Sequence, residues 1–294
     1  MKRNLKILSL TLIAIGASLS TKSQIKLKPE TFEGKVKSIS EHRVAVTKEG
    51  ESPYGNLVVL FDPLGREKES YLILFGDTMT HHVYEYSITG YKKWINMKMP
   101  VQDELKFDEK NNLVEQKTFL QDGSADMIYR YQYDDQNQMI VKEEFNTDGQ
   151  SGNTYKYTYK NGKIESEFRL VDSRVIDRIF YKYDDTGNLI EEEANFLEPY
   201  DDQKYYKQSM TYDKNGNLIQ STRKDEKGKI ITEYFWEFDH HNQVVKYMAK
   251  DFKNKLNEKK TYSYEYDSTG NWIKMSVTEK GKPLMKHERE ILYY

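Results

Sequence analysis

The sequence contains no cysteine, only six prolines and no apolar run long enough to span a bilayer. Without cysteine the chain forms no disulfides, and it cannot be a lipoprotein acylated on a cysteine after a signal sequence. With 294 residues, however, a large β-sheet can bury enough apolar surface to be stable without such cross-links. These absences leave a large, disulfide-free protein.

Residues 1–23 are typical of a secretory signal. Three basic residues at positions 2, 3 and 6 precede the apolar run Ile7–Ala17, and small residues follow, with cleavage expected after Ser23 or Ser20. An uncleaved anchor is the alternative, but 11 apolar residues are too few to cross a bilayer. The sequence therefore predicts an exported protein, either periplasmic or extracellular.

Charge argues against a nucleic-acid partner. Removal of residues 1–23 takes away four basic residues and no acidic ones, which leaves 41 Lys and Arg against 47 Asp and Glu, a formal charge of −6. A mildly acidic chain is poorly suited to bind a phosphate backbone.

A short phrase of the form Tyr-Asp-x-x-Gly-Asn-Leu recurs along the chain. It occurs at Tyr183–Leu189 and Tyr212–Leu218, and with Trp in the last place at Tyr266–Trp272. Looser copies begin at Phe61, Tyr86, Phe107, Tyr133, Tyr159 and Phe238. Asp followed three residues later by Gly predicts a type I turn completed by a residue with positive φ, which is a three-residue hairpin loop with a bulge.

Different residues meet the same backbone demand in different copies. Where Gly is missing, Asn111, Asn137 and Asn242 take its place, and Asn is the residue other than Gly that best tolerates positive φ. The copy at Tyr159 is one residue shorter and contains Asn161-Gly162, the signal of a two-residue type I′ turn.

The spacing of the phrases predicts a repeat array. From Phe107 onward the first residues of successive phrases are 26, 26, 24, 29, 26 and 28 residues apart, with no helical pattern between them. Two strands for each of nine phrases give an all-β antiparallel hairpin meander of about eighteen strands. Because a sheet this wide twists, it is expected to form a rolled sheet or partial barrel. We expect residues 24–106 to be an N-terminal β region with degenerate repeats, continuous with the repeats of residues 107–294.

Less regular elements are expected before residue 107. Phe32–Ile39 reads as the first strand, Lys48–Asn56 as a turn-rich stretch and Trp94–Val101 as an irregular link. Further along, a second, more variable turn joins each unit to the next, as at Asp122-Gly123 and Lys280-Gly281.

Aromatic residues alternate with polar residues along the predicted strands. Tyr129, Tyr131 and Tyr133 share one face, and equivalent rows recur in later units. Alternation of this kind favours a Tyr-rich face that packs inward and a charged face in water. Exposed Tyr and Trp could instead stack on sugar rings or peptides.

The form Tyr-x-Tyr-Asp-x-x-Gly-Asn-Leu, as in Tyr181–Leu189, resembles the YD repeat of Rhs-type proteins. The signal, the Gly34–Ser38 head and the run of repeats are similar to exported repeat proteins common in Bacteroidetes. The resemblance covers roughly residue 61 to the C-terminus and implies strand-turn-strand winding. It supplies no catalytic residues. In large Rhs proteins the repeats form a shell around a toxin, so a toxin-associated shell fragment is one alternative.

No motif of catalysis, cofactor binding or metal binding is recognisable. P-loop, GxSxG and HExxH patterns are missing, and the Asp-rich phrases fail the calcium-loop pattern because Gly comes too early. His240-His241 occupies the middle of a turn, and adjacent strand residues such as His81-His82 point to opposite faces. We therefore expect no catalytic residues, no metal and no cofactor.

These observations predict a non-catalytic scaffold that binds a glycan, peptide or protein at the cell envelope. The candidate ligand-binding residues are the aromatics where the repeat is irregular: Tyr91, Trp94, Tyr200, Tyr205 and Tyr206. An outer-membrane β-barrel is an alternative, but charged residues on both faces of Leu189–Leu197 make membrane insertion unfavourable. A hydrolase on the same scaffold is a third reading, and it requires carboxylates or His that converge in a pocket.

Overall fold

The computed structural model describes residues 32–86, 92–96, 103–120, 122–200 and 203–294, with the backbone alone at 85, 86, 92–96, 198–200 and 203. The signal-like segment and Tyr91 lie outside the described residues. All regular elements in this part of the chain are β-strands. They are β1 Val36–Thr47, β2 Gly50–Phe61, β3 Glu67–Leu74, β4 Asp77–Tyr86, β5 Lys92–Asn96, β6 Glu104–Phe107, β7 Leu113–Phe119, β8 Ala125–Tyr133, β9 Met139–Asn146, β10 Ser151–Lys160, β11 Lys163–Val171, β12 Arg174–Tyr183, β13 Leu189–Tyr200, β14 Gln203–Tyr212, β15 Leu218–Lys224, β16 Ile230–Phe238, β17 Val244–Asp251, β18 Leu256–Tyr266, β19 Trp272–Glu279 and β20 Lys282–Tyr293.

The strands form one antiparallel meander, which confirms the predicted fold class. The twenty strands belong to a single sheet, in which chain neighbours pair from β1 to β5 and from β6 to β20. β1 also pairs with β20, so the first and last strands lie side by side. Among the described residues no pairing joins β5 to β6, and the sheet is not closed.

The turn phrases adopt the predicted geometry wherever the structure describes them; the turn of the phrase that begins at Tyr86 lies outside the described residues. In the phrase at Asp213, the amide of Gly216 donates to the carbonyl of Asp213 at 2.9 Å, and Gly216 has a φ of 73°. Asn takes the same conformation where Gly is missing, with φ of 62° at Asn111 and 61° at Asn242. The register of the paired strands shifts at each of these turns, for example between Thr211 and Tyr212, as a bulge requires.

The Asp of the phrase is explained by hydrogen bonds inside the turn. The Oδ1 atom of Asp213 accepts the amides of Asn215 at 2.9 Å and Asn217 at 2.8 Å. Its Oδ2 atom accepts the side-chain amide of Asn217 at 3.0 Å. Asp184 and Asn188 repeat this arrangement. Asp and the Asn after Gly therefore stabilise the turn as a pair.

The Tyr of the phrase connects one unit to the previous unit. The phenol of Tyr133 donates to the carbonyl of Leu113 at 2.9 Å, and Tyr212 donates to the carbonyl of Leu189 at 2.8 Å. In each case the acceptor is the first residue of the strand that leaves the preceding phrase. Tyr159 bonds to the carbonyl of Met139 in the same way.

The chain termini together complete one further unit. Nine phrases account for β2 to β19, and the two remaining strands, β20 and β1, pair across the ends of the chain. Tyr293 of β20 behaves as a phrase Tyr, since its phenol contacts Asp267. Gly34, with a φ of 79°, lies just before β1, and the side-chain amide of Asn271 donates to the carbonyl of Glu33 at 2.8 Å. We call this β20–β1 pair the split unit.

The buried core lies on one face of the sheet, the face that carries the Tyr rows. Its largest cluster contains Leu218, Trp236, Tyr247, Ala249, Tyr262, Trp272, Met275 and Val277. A smaller cluster contains Val36, Ile39, Leu57 and Val59. All described strands belong to the one sheet, so burial of these residues requires the sheet to curve toward this face, as the expected rolled sheet does.

Two sequence expectations near the N-terminus are wrong. The first strand begins at Val36 rather than Phe32, because Gly34 with its positive φ interrupts an extended backbone. Lys48–Asn56 is mostly strand, since β2 begins at Gly50. Pro53 is tolerated there because the register shifts between Arg43 and Val44, opposite Pro53. The irregular link expected at Trp94–Val101 begins as strand β5, and residues 97–101 lie outside the described residues.

Substitution of Asn161 tests the conformational demand of the turns. Asn161 has a φ of 52° in the β10–β11 hairpin. We expect Asn161→Ala to lower the free energy of unfolding by about 1 kcal/mol, because a Cβ without a local hydrogen-bonding group is disfavoured at positive φ. Asn161→Gly is the matched control and should stay within a few tenths of a kcal/mol of the natural protein. Urea denaturation measures both, and equal stability of the two variants would contradict the assignment.

Candidate functional site: the tyrosine face

The face that holds the core also holds the candidate functional site, and we call it the tyrosine face. Strand register places Tyr131 of β8 opposite Lys142 of β9, and Tyr157 of β10 opposite Glu167 of β11. The alternation predicted from the sequence is therefore present: the Tyr rows lie on the even-numbered strands from β8 onward, and Tyr247 of β17 adds a ring from an odd-numbered strand. Odd-numbered strands fill the spaces between them.

The odd-numbered strands divide the tyrosine face into two parts. Between β7 and β13 they contribute mainly polar or charged side chains: Gln116, Lys142, Glu167 and Glu192. At the end of this part, Ala194 and Phe196 of β13 form a small buried cluster with Tyr206 of β14. Between β15 and β19 the odd-numbered strands contribute mainly small or apolar side chains, Ser221, Ala249, Met275 and Val277, and Arg223 of β15 lies over the ring of Tyr206. We call these parts the polar segment and the apolar segment. The buried cluster around Trp236 occupies the apolar segment.

Tyr side chains of the polar segment are half-buried rather than enclosed. Tyr129, Tyr131 and Tyr133 of β8 all retain exposed surface, as do Tyr155 and Tyr157 of β10. In the apolar segment, by contrast, Trp236 and Tyr247 are 5% and 4% exposed. The inward-packed Tyr face expected from the sequence therefore describes the apolar segment, while the polar segment presents aromatic surface to solvent.

Polar partners hold the phenols of the polar segment in place. Tyr131 donates to Oε1 of Gln116 at 3.2 Å, and Tyr181 donates to Oε2 of Glu167 at 3.4 Å. At the end of the segment Tyr206 donates to Oε1 of Glu192 at 2.5 Å. Each bond joins an even-numbered strand to the preceding odd-numbered strand. These hydrogen bonds consequently fix the orientation of the rings.

Lys142 lies between two aromatic rings. Its Nζ atom is 4.7 Å from the ring centroid of Tyr129 and 5.2 Å from that of Tyr155. The same Nζ atom forms an ion pair with Glu144 at 2.9 Å. Cation–π contacts of this kind fix the spacing of neighbouring Tyr-bearing strands.

The Tyr phenols stay neutral at physiological pH. Burial, together with the nearby Tyr129, Tyr133 and Glu144, raises the pKa of Tyr131 to about 12. Burial and the Glu167 carboxylate likewise raise the pKa of Tyr157. Neutral phenols can both donate and accept hydrogen bonds, which suits recognition of uncharged hydroxyl groups.

A groove of about 410 Å³ opens at the turn edge of the polar segment, between the first two phrases of the regular repeat. Its lining includes Asp108, Asn112, Val114, Tyr131 and Tyr133. The groove continues the line of half-buried Tyr side chains to the edge of the sheet.

The structure separates the aromatics that sequence analysis singled out. Trp94 is in β5, paired with Tyr84, and Tyr200 is in β13, paired with Gln203; Tyr91 lies outside the described residues. Tyr205 and Tyr206 are adjacent in β14, on opposite faces. Tyr206 is only 3% exposed and packs on Phe196 and Arg223, and Tyr205 donates to Glu193 at 3.2 Å. β5 and β14 are not neighbours in the sheet, so these residues do not form one site. Their binding role stays a prediction.

Sequence reasoning missed the polar side chains between the Tyr rows. The signal was present, because strand register across each phrase turn determines which residues of the outgoing strand share the face of the Tyr row. When the paired residues are counted outward from the turn after Tyr133, Lys142 falls on the face of the Tyr row. The same count from the turn after Tyr159 places Glu167 on that face.

The histidines make local contacts. His81 stacks on Tyr71 with ring centroids 4.2 Å apart, and its Nε2 atom lies 2.8 Å from Oε1 of Glu69. His241 stacks on Tyr266 with centroids 3.9 Å apart. Among the described residues, no group of three or more His, Asp or Glu is arranged to hold a metal ion.

A buried ion cluster lies where β1 meets β20. Glu41, 1% exposed, accepts Nε of Arg289 at 2.7 Å and Nε of Arg43 at 2.8 Å. Its Oε1 atom is 3.0 Å from Nδ1 of His287, whose Nε2 atom is 3.1 Å from the phenol of Tyr54. Burial alone would raise the pKa of Glu41, but the hydrogen bond from His287 and the positive charges of Arg289 and Arg43 outweigh it and lower the pKa.

No protein-family model matches the chain, and no curated protein matches it in sequence. Among solved structures, the crystal structure of TcdB2-TccC3-TEV is similar, with 13% identity, a TM-score of 0.34, and coverage of 88% of this chain but 16% of that one. The chain thus spans about one sixth of the length of that molecule.

Other structural neighbours are nearer to the chain in length. A porin-like protein from Bacteroides uniformis has 9% identity and a TM-score of 0.36, over 87% of this chain and 98% of that one. An outer membrane lipoprotein-sorting protein domain from Vibrio parahaemolyticus has 12% identity and a TM-score of 0.24, over 87% and 84%. With TM-scores this low, none of these likenesses assigns a family or a function. In the described part of the chain, no helix is long and apolar enough to cross a membrane.

Loss of the Glu41 charge tests the ion cluster. Because Glu41→Gln removes the carboxylate that accepts from the buried Arg289 and the partly buried Arg43, we expect it to lower the free energy of unfolding by about 3 kcal/mol or more. Glu290→Gln, at an exposed position in β20, is the matched control and should change stability by less than about 0.5 kcal/mol. Thermal and urea denaturation measure both.

Comparison of Glu41→Gln with the natural protein also tests how the contribution of Glu41 to stability depends on pH. The pKa of Glu41 is lower in the folded chain than its ordinary value of 4.5, so its carboxylate stabilises the fold above that pH and the contribution is lost as pH falls. The stability difference between the natural protein and Glu41→Gln should therefore shrink as the pH falls from about 5 to about 3. A difference that stays constant over this range would contradict the assignment.

Proposed function

We propose that this protein is an exported, non-catalytic β-repeat scaffold that binds a glycan on the polar segment of its tyrosine face. The observation that supports the proposal is a row of half-buried Tyr side chains interleaved with carboxylate, amide and ammonium groups. Aromatic rings provide flat surfaces on which sugar rings stack, and the polar groups between them can bind hydroxyls. The signal-like N-terminus supports an extracytoplasmic location.

The repeat favours a polymeric ligand. Tyr131, Tyr157 and Tyr181 lie on every second strand, and such strands are about 10 Å apart in a sheet. Between them stand Lys142 and Glu167, which offer a donor and an acceptor in turn. A polysaccharide laid across the strands would meet a similar pair of groups at each step, whereas a peptide of varied sequence would not.

The described residues suit binding better than chemistry. Two carboxylates of the polar segment are engaged by neighbouring side chains, Glu144 by Lys142 and Glu192 by the phenol of Tyr206. Glycoside hydrolysis needs two carboxyl groups that face each other across a cleft with opposite protonation. This arrangement supports a non-catalytic scaffold.

Binding to purified envelope and capsular polysaccharides, followed by calorimetry, tests the proposal. Tyr157→Ala should weaken binding at least tenfold, because a central stacking surface is removed. Tyr157→Phe, which keeps the ring, should weaken it less. Lys156→Ala is the matched control, since Lys156 is exposed on the opposite face of the same strand, and it should leave the affinity unchanged.

Three outcomes would contradict the proposal. Equal effects of Tyr157→Ala and Lys156→Ala would place the binding surface elsewhere. Binding of peptides or proteins but of no glycan would assign the face to another ligand class. Release of sugar fragments by the purified protein would make it an enzyme.

A further inference from the structure

The turn edge opposite the phrases carries an uneven distribution of charge. Three hairpins that are neighbours in the sheet, β15–β16, β17–β18 and β19–β20, have their tips together at this edge. The tips contain the following exposed lysines: Lys227, Lys229, Lys253, Lys255, Lys280 and Lys282. Against these six lysines, the exposed carboxylate of the three tips is that of Glu226. The tips are therefore strongly basic, although the whole chain has a formal charge of −2. We call this region the basic edge.

Two acidic residues of these tips, Asp225 and Asp251, are used inside the turns. Asp225 accepts the amides of Lys227 at 3.0 Å and Lys229 at 2.9 Å. Asp251 is 5% exposed and accepts the amides of Lys253 and Asn254 at 2.9 Å. Their carboxylates therefore stabilise the backbone, while the ammonium groups project into solvent. Lys227, Lys229, Lys255, Lys280 and Lys282 form no ion pair within the part of the chain that the structure describes.

Apolar side chains stand in the middle of the basic edge. Phe252 and Leu256 flank the tip of the central hairpin and are 47% and 42% exposed. Lysines surround them within the same tip and on the tips on either side. Exposed apolar side chains ringed by lysine are the combination found in proteins that lie on an anionic bilayer, where the apolar groups enter the headgroup region and the lysines remain among the phosphates.

We propose that the basic edge docks the protein onto the surface of an anionic phospholipid membrane. The six strands of the three hairpins span about 25 Å at the usual strand spacing, so the tips meet a flat surface together. The exposed lysines of the basic edge lie together at one end of the strands, and this distribution favours a bilayer over a long polyanion as the partner. At the other end of the same strands, which we call the phrase edge, the exposed carboxylates Glu237 and Glu265 lie beside the phrase turns at Asp239 and Asp267, and a polyanion that extended along the strands would meet them. A bilayer that contacts the tips alone does not.

Docking through the basic edge is independent of the polysaccharide site. The hairpin tips lie outside the polar segment, which belongs to β7–β13. The two proposals can therefore fail separately.

Vesicle sedimentation with the mature chain, residues 24–294, tests the docking surface. The protein should bind vesicles that contain phosphatidylglycerol and not vesicles of phosphatidylcholine alone, and added salt should weaken the binding. The double variant Lys280→Glu/Lys282→Glu should lower the partition coefficient more than tenfold. Phe252→Ser should lower it severalfold and leave the dependence on salt unchanged.

The matched control reverses two charges at the phrase edge. Lys110→Glu/Lys214→Glu alters exposed turn positions and should leave vesicle binding within about twofold of the natural protein. Thermal unfolding of every variant confirms that the fold is kept. Failure of the natural protein to bind anionic vesicles would overturn the proposal, whether or not it binds heparin or DNA instead. Equal losses in the two double variants would also overturn it, since binding would then depend on net charge alone.

Discussion

The rest of the structure depends on one hydrogen-bonded arrangement, the Asp carboxylate that accepts two backbone amides of its own turn. In the phrase at Asp184 those amides belong to Thr186 and Asn188. The bonds fix a turn whose fourth residue must have positive φ, and the turn fixes the register of the two strands that it joins. Register in turn decides which side chains share a face. A short local interaction thus determines the composition of a surface many residues wide.

Given that register, the division of the tyrosine face follows from the odd-numbered strands. A small or apolar side chain between two aromatic rows lets the rows close together, as Ala249 does beside Tyr234. A charged side chain in the same place keeps water nearby, as Glu167 does beside Tyr157. The same repeated backbone therefore forms both the buried core of the apolar segment and the solvent-exposed aromatic surface of the polar segment. The core stabilises the apolar segment, and the polar segment keeps its aromatic rings in contact with water.

Much of this fold could be predicted from the sequence, because its turns follow strict local rules. Asn111, Asn137 and Asn242 were expected at positive φ and adopt it, since the turn admits few alternatives. Strand limits near the N-terminus were harder to predict. Gly50, Ser52 and Pro53 look like turn residues in isolation, yet pairing with β1 draws them into β2. Pairing between distant strands of this kind cannot be predicted from the local sequence pattern.

The candidate site was only partly predictable, for a different reason. Aromatic rows are visible in one strand at a time, but the polar side chains between them belong to the neighbouring strands. Tyr206 illustrates the difficulty, because its irregular surroundings in the sequence suggested an exposed ring, while Phe196 and Arg223 enclose it. Likewise, the lysines of the basic edge are spread over 56 residues of sequence, from Lys227 to Lys282, and come together only through the order of the strands.

The split unit has a consequence for the way the chain folds. Every other hairpin brings together residues close in sequence, so it can form as soon as its own turn has formed. β1 must wait for β20, since Ile39 pairs with Ile291 and Glu41 pairs with Arg289. While β20 is missing, one edge of β1 and the charged side chain of Glu41 stay unpartnered on that side, and an exposed strand edge can pair with another chain. The folding chain thus carries a vulnerable edge until its last strand is in place, and a chaperone that covers β1 in that interval would protect it from aggregation.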